Sequence, residues 1–463
     1  MVKKQSGQAM VYALLMMTAV LLSAAYIFNS YQVSNEKTRL QNTIDNAAYS
    51  VAVIEARDLN FMSYTNRAMV ANHVAVAQVV SMLSWIRFLD NTARNLSAVT
   101  GWIPYLGTAV QALEQGVNAI KEVFETGANI LVPILNGWIR VISVAQQLMH
   151  FLNITVAYDS LGRVLNQNDP DVDWAGLNLA TWTTYVQQHL LFTQRYSPDR
   201  VRDGRRNWRD HKVRADAFRN ITLQSRDKFS DKYLYNLIPR ITIGPARFEM
   251  KRAGGTEFYG PNSRAPYYTW SGMDTLSAYF GVWFFGWHDT EVPIGWGAAQ
   301  AGERKNLRTH RREDYFTSNS RASNLAVLEF RTAPLIGGNR GYGGLADFND
   351  IKQDGYVETG PGIVLVATKP QDKIRTTGTV NNDATPDGLD LQSESNMLYG
   401  RSASWSKATV YYARPKSHLI NLGSATDDRR EYGNLYNPYW QPKLAALTAA
   451  DKAIAGISLG VGL

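Results

Sequence analysis

Between Leu40 and Ile86, apolar residues return at alternating steps of four and three. The positions are Leu40, Ile44, Ala47, Val51, Ile54, Asp58, Phe61, Thr65, Ala68, Asn72, Ala75, Val79, Met82 and Ile86, and eleven of the fourteen are apolar. A period near 3.5 residues, held over almost seven heptads, predicts a long helix packed against another helix. The exceptions, Asp58, Thr65 and Asn72, are seven apart and would stack along one stripe. Buried polar groups need partners. This polar seam therefore sets register, faces a polar partner, or marks where the helix bends away from its neighbour. Small residues also recur at i+4, at Ala48, Ala52 and Ala56. They permit close backbone approach, although alanine is also simply a strong helix former. Leu40, Ile44, Ala48, Val51, Ala52 and Ala56 are the candidate helix-packing residues.

Ahead of this stripe, Gln5 to Asn35 carries no charge, and Ala9 to Phe28 is a mostly apolar run of 20 residues. As a helix it is long enough to cross roughly 30 Å of hydrocarbon. Ala9, Leu14, Leu15, Val20, Leu21, Leu22, Ile27 and Phe28 are the candidate membrane-anchor residues. Lys3 and Lys4 place the N-terminus in the cytoplasm by the positive-inside rule. An uncleaved anchor is the preferred reading. A signal peptide ending at Ser23-Ala24-Ala25 and a prepilin-type leader cut after Gly7 are the alternatives; pilin-like chains usually carry Glu where Tyr12 stands here.

The four-three pattern resumes after a break at Asn95–Pro104. It runs through Leu106, Val110, Leu113, Val117, Ile120 and Phe124, then through Trp138, Ile142, Ala145, Met149, Leu152 and Val156. With Gly127 and Pro133 as punctuation, this predicts two or three further helices packed on the first. Ile130 to Ala157 is apolar enough to raise a second membrane span, but Arg140 lies inside it, which favours a core helix. Beyond about residue 240 the texture changes. Ile241–Ile243, Val282–Trp287, Ile363–Thr368 and Ala403–Tyr412 are short β-branched or aromatic runs between turn signals, and they read as strands. A short Ala-rich helix is expected after Lys443. The fold class is α+β: a single N-terminal transmembrane helix, a long helical stalk or bundle, then a mixed β-rich C-terminal domain. The expected divisions are residues 1–7 as a cytoplasmic N-terminus, 8–29 as the transmembrane helix, 30–195 as a periplasmic helical region and 196–463 as the α+β domain.

Composition narrows the chemistry. The chain has 463 residues, 45% hydrophobic and 11% aromatic, which suits a folded protein with a sizeable core. It contains no cysteine, so disulfides, thiolate metal sites and cysteine nucleophiles are excluded. The net charge is +8, and residues 195–240 hold 13 Lys/Arg against 6 Asp. The interleaved acids favour a solvated, ion-paired face over a nucleic-acid site. The seven histidines, at 73, 150, 189, 211, 288, 310 and 418, show no metal-ligand spacing on one helix face. Ser458 fits G-x-S-x-G with only three residues after Gly460, too few to supply the acid and histidine of a hydrolase. Gly341–Ala346 fits a loose G-x-G-x-x-A with no βαβ unit around it. Asp383, Asp387 and Asp390 depart from the EF-hand spacing, and His310–Asp314 is read as a charged loop. The aromatics of 258–296 would fill a core or line a stacking surface. No catalytic, cofactor or metal residue is assigned, and no cofactor is expected.

A one-span N-terminus followed directly by KTRLQNTIDNAAYSVAVIEAR resembles the N-terminal module of TadE/TadG-like pilus assembly proteins. The matching positions are Gly7, Gln8, Leu40, Gln41, Asp45, Ala47, Ala48 and Ala52. Asn434–Leu444 also looks like a C-terminal feature of some TadG-related proteins. The resemblance implies a bacterial inner-membrane protein of the tight-adherence (Flp) pilus system, structural and without enzymatic activity. Its implied partners are the lipid bilayer and other pilus-assembly proteins or further copies of itself, not nucleic acid. Many TadG proteins carry a von Willebrand A domain with an Asp-x-Ser-x-Ser metal motif. None is present here, so metal-dependent adhesion does not carry over. The alternative is a membrane-anchored periplasmic enzyme or ligand-binding protein, or a processed minor pilin.

Overall fold

A computed structural model describes residues 8–102, 105–231, 233–260, 268–302, 318–332, 336–337, 341–353, 355–370, 373–374, 401–414 and 431–459. Its first element is a single helix, α1 (Gln8–Thr100), 93 residues long. No glycine or proline occurs between Gln8 and Thr100, so nothing interrupts the backbone ladder until Gly101. The apolar span and the four-three stripe thus belong to one rod. Past Val51 the innermost line of that rod runs through Glu55, Leu59, Met62, Asn66, Met69, His73, Val76, Val80, Leu83 and Arg87, all buried. This line lies one residue on from the stripe read in the sequence. The offset enters at a single step, four residues from Val51 to Glu55 where the stripe steps three to Ile54, and stays constant to Arg87.

The second helix, α2 (Leu106–Asn168), runs unbroken through Gly127 and Pro133. The two or three helices expected here are one. A single proline removes one ladder hydrogen bond, and each glycine costs about 1 kcal/mol, which a helix of this length with a packed face absorbs. Ile130–Ala157 is not a fully buried core helix either. Val132, Ile139 and Ala157 are buried, whereas Ile134, Trp138, Val141, Val144, Leu148 and Leu152 are exposed. Like the N-terminal span, α2 is long and apolar enough to cross a membrane.

The shorter elements follow as α3 (Leu179–Phe192), β1 (Thr193–Tyr196), α4 (Pro198–Arg202), α5 (Trp208–Gln224), β2 (Tyr233–Ile243), β3 (Ala246–Tyr259), β4 (Thr269–Trp283), β5 (Trp287–Ala301), α6 (Ser320–Thr332), β6 (Phe348–Ile351), β7 (Thr359–Pro370), β8 (Arg401–Tyr412), β9 (Trp440–Leu444) and α7 (Ala449–Leu459). The chain forms two compact units that are interleaved in sequence. One contains residues 1–63, 148–194 and 351–463; the other contains 64–147 and 195–350.

The first unit holds the antiparallel sheet β7-β8-β9. Its core joins Leu40, Ile44, Ala48, Val51 and Ala52 of α1 to Ala157, Leu161 and Leu165 of α2, Tyr185 of α3, Ile363 and Leu365 of β7 and Ala408 of β8. Ala56, Leu59 and Met62 continue onto Val410, Tyr412 and Trp440. Each such aliphatic side chain contributes about 1.5–3 kcal/mol on full burial. Amide side chains fasten the helices to the strands. Asn60 of α1 donates to the carbonyl of Trp440 and accepts its N–H, and Asn178 does the same for Val366.

The second unit holds the antiparallel meander β2-β3-β4-β5. Here α1 lies along the edge strand β5. Arg87, Asn91 and Asn95 donate to the carbonyls of Ala298, Trp296 and Ile294, at 2.7, 2.9 and 2.9 Å. Four helical residues advance about 6.0 Å and two strand residues about 6.6 Å, so the rungs stay aligned. The ladder satisfies carbonyls that an edge strand would leave open. Arg87–Glu125 and Asp90–Lys121 ion pairs tie α1 to α2 on another side. The strand expected over Val282–Trp287 is split: Val282 and Trp283 end β4, Trp287 begins β5, and Phe284–Gly286 form the turn between them. Phe285 (φ 52°) and Gly286 (φ 144°) take the positive φ values that turn the chain there.

Candidate functional site

The anchor residues Leu14, Leu15, Val20, Leu21, Leu22, Ile27 and Phe28 are all exposed along α1 among the described residues. The packing residues Leu40 to Ala56 are buried within the chain's own core, as described above. The polar seam is divided among three settings. Asp58 is buried against His150. Thr65 accepts a hydrogen bond from Gln146 at 2.9 Å, and Asn72 donates to the carbonyl of Ala68 one turn back. They form no common site.

The densest chemistry in the described residues surrounds Asp58. Glu55 and Asp58, three apart on α1, face His150 of α2, Tyr185 and His189 of α3 and Thr193 of β1. His189 donates from Nδ1 to Glu55 Oε2 at 2.8 Å and from Nε2 to the carbonyl of His150 at 3.0 Å. Tyr185 donates its hydroxyl to the same Glu55 oxygen at 2.8 Å. His150 Nδ1 lies 2.7 Å from Asp58 Oδ2, and its Nε2 lies 3.3 Å from the Thr193 hydroxyl. The two imidazoles stack with centroids 4.1 Å apart. Burial alone would push the His189 pKa down. The charge and hydrogen bond of Glu55, with help from Asp58 and the His150 carbonyl, outweigh it and raise the pKa to about 9 from 6.5. Burial raises Asp58, opposed by its bond to His150 and reinforced by Glu55. Burial and the Glu55 carboxylate push Tyr185 well above its ordinary value.

Asp58, His150 and His189 offer ligand atoms within 4.8 Å of one another, close enough to test as a metal centre. The geometry speaks for a proton-holding cluster. Glu55 and the His150 carbonyl favour the protonated form of His189, and both nitrogens of each ring already face hydrogen-bond partners. The order Asp58–His150–Thr193 also places acid, imidazole and hydroxyl in the sequence used by nucleophilic catalysis. Thr193 is buried, however, and its hydroxyl faces His150 inside the chain. The arrangement is a buried Glu55–His189 ion pair beside a hydrogen-bonded Asp58–His150 pair, and together they join α1, α2 and α3.

The sign of its pH dependence follows. The His189 pKa is higher in the fold than in the unfolded chain, so its contribution is complete below about pH 6.5 and is lost as pH rises through about 9. The raised Asp58 pKa acts in the same direction. Thermal melts of the full chain are expected to show stability falling between about pH 6.5 and about 9, and Glu55→Gln is expected to flatten that slope.

The remaining histidines and clefts carry less. His73 is buried, pushed down to about 3 by burial and therefore neutral, with Nδ1 2.6 Å from the Tyr342 hydroxyl. Tyr342 comes from the glycine-rich loop, whose Gly343 N–H donates to Asn136, so that loop packs against the chain. In the basic stretch Arg205 pairs with Asp203 within it, while Arg195, Arg214 and Arg240 reach Asp347, Asp350 and Glu249 beyond it. A cleft of about 430 Å³ is lined by Thr181, Thr184, Gln188, Thr409 and the ion pair Lys407–Asp451. None of the tryptophans between 258 and 296 lines it. Trp270 is buried and stacked on Phe258 at 4.3 Å, so it belongs to a core. Asp383, Asp387, Asp390, the His310–Asp314 cluster and the side chain of Ser458 lie outside the described residues.

Sequence reading did not single out Glu55, Tyr185, His150 or His189 as a group, because they are brought together from 39 to 134 positions apart. The available signal was the spacing of Glu55 and Asp58, two acids one turn apart on a helix face otherwise made of Ala52, Ala56 and Leu59. Comparison with known families identifies the N-terminal part of the chain. Residues 7–53 match the model described as "Putative Flp pilus-assembly TadE/G-like". No curated protein and no solved structure matches the chain.

Proposed function

We propose, from the premise of a TadE/G-like module at residues 7–53, that this protein is a non-enzymatic structural component of a Flp-type pilus assembly or secretion machine. It acts as a scaffold or anchor, held in the bacterial inner membrane by residues 8–29, with Lys3 and Lys4 cytoplasmic and the bulk in the periplasm. The observation that carries the reading is the coincidence of three features on α1. The family match, the exposed apolar segment and the start of the buried packing face all fall within its first half. An exposed apolar helix belongs in lipid, and the buried polar cluster around Glu55 and Asp58 suits a rigid body.

Two experiments test this. An alkaline-phosphatase fusion after residue 463 is expected to be active and a GFP fusion at the same point dark; the reverse pattern would remove the periplasmic placement. Deleting the gene is expected to abolish Flp pili seen by electron microscopy. Restoration by the full chain, but not by a chain with Leu14, Leu15, Leu21 and Leu22 all changed to Ser, would tie assembly to the anchor. Normal piliation in the deletion strain would sink the assembly role.

A further inference from the structure

The four-stranded sheet of the second unit ends in two neighbouring turns. The β2–β3 turn presents Ile243, 75% exposed, and the β4–β5 turn presents Trp283, Phe284 and Phe285, exposed by 53%, 70% and 96%. The turns are joined, because the Trp283 N–H donates to the Pro245 carbonyl at 2.7 Å. Val282 pairs with Ala246 on one side and His288 on the other, so Ile243, Val282 and the aromatic turn make one apolar end. Trp287 packs edge-on against Trp283 and carries Arg247 over its face at 4.4 Å.

We propose that this end is a lipid-inserting tip that docks the sheet on a membrane surface. Three features point to lipid. First, the tip is uncharged over a defined depth. From Ala278 to Trp287 there is no Asp, Glu, Lys or Arg, and none occurs between Ile241 and Ala246. The first charges inward are Arg247 and Asp289, which pair with each other, followed by Arg240 and Glu249, also paired. Phe285 stands four residues beyond the Gly281–Arg247–Asp289 row, a rise of about 13 Å at most. That matches the ~5–10 Å by which interfacial segments enter the headgroup–acyl boundary and falls far short of a spanning strand. Second, the residues are those favoured at that boundary, tryptophan with its polar N–H and phenylalanine beyond it. Third, Phe285 holds a positive φ of 52°, where glycine or asparagine would relieve strain. Gly286 stands next to it, and still the chain keeps a bulky ring at the outermost point. Because both charge pairs are internally neutral, the surface suits zwitterionic lipid. The proposal does not depend on the orientation of the N-terminus.

The absence of cysteine makes the test direct. The full chain with Phe285→Cys, labelled with an environment-sensitive dye, is reconstituted in phosphatidylcholine nanodiscs and mixed with phosphatidylcholine vesicles. Nitroxide lipids, spin-labelled high on the acyl chain, are placed in the nanodisc or in the vesicle. The expected result is a blue shift with about fivefold quenching by one of them, and no change for the same dye at the exposed Gln224→Cys. Trp283→Ser/Phe284→Ser/Phe285→Ser, with unchanged circular dichroism, is expected to weaken vesicle capture about tenfold. Absence of quenching from either lipid overturns the proposal. So does a blue shift that grows with protein concentration and is indifferent to lipid nitroxide, which would assign the tip to a second copy of the chain.

Discussion

Replacing Glu55 by alanine is expected to destabilise its unit by about 3–5 kcal/mol, the cost of breaking a buried ion pair from one side. The Glu55 carboxylate accepts both the His189 imidazolium and the Tyr185 hydroxyl. Without it, a cation stays buried with only the His150 carbonyl and Asp58 nearby, and a phenol loses its acceptor, itself a penalty of about 1–3 kcal/mol. Urea unfolding of the reconstituted chain, followed by hydrogen exchange of α3 and β7 amides, measures the loss. Removing the polar set together, as Glu55→Leu/His189→Leu/Tyr185→Phe, is expected to recover most of it, because an apolar replacement leaves no orphan charge. A loss below about 1 kcal/mol for the single change would mean the pair behaves as a solvated one.

Gly297→Ala is expected to damage the other unit by about 1–3 kcal/mol or more, the usual penalty for overpacking. A Cβ at Gly297 would stand 2.2 Å from the Phe88 nitrogen and 2.3 Å from the Ser84 carbonyl oxygen. Both are backbone atoms of α1, so no side chain can rotate away. Gly295, two residues earlier on the same face, would meet the Thr92 hydroxyl at 1.9 Å, which a Thr92→Ala change would clear. The pair of variants separates the causes. Thr92→Ala should rescue part of Gly295→Ala, while no α1 side-chain truncation should rescue Gly297→Ala. Proteolytic susceptibility of β5, compared with that of β8, reads the effect locally. If Gly297→Ala left β5 as protected as in the wild type, the close approach of α1 would be wrong.

The two expected losses fall on features of very different visibility in the sequence. The anchor, the long first helix and the TadE/G-like module were legible because each rests on local signals: an apolar length, an unbroken run without glycine or proline, and the LQ…D·AA spacing. The strands at Ile363–Thr368 and Ala403–Tyr412 were legible for the same reason, and β7 and β8 contain them. Gly295-Trp296-Gly297 was not legible as a helix-docking face. Period-two glycines look like loop punctuation until a helix is known to lie on them. The run Val282–Trp287 carried strand-forming residues and yet breaks at Phe284–Gly286, because Gly286 and Phe285 decide the backbone there. The continuity of α2 through Pro133 depended on the total length of helix around it, which a local breaker rule ignores. The Glu55–His189 pair depended on tertiary placement, with half a signal in the Glu55–Asp58 spacing.

The ladder of Arg87, Asn91 and Asn95 on β5 also has a mechanical meaning. Its three bonds point across the axis of α1, so a pull along that axis loads them side by side, in shear, and they must fail together rather than unzip in turn. Slipping α1 by one turn would bring Leu83 or Val99 among the rungs, according to the direction, and neither can donate a hydrogen bond. The helix therefore cannot ratchet past the strand to a new register of equal strength. Traction on α1 is passed to the β-sheet as to a fixed fitting.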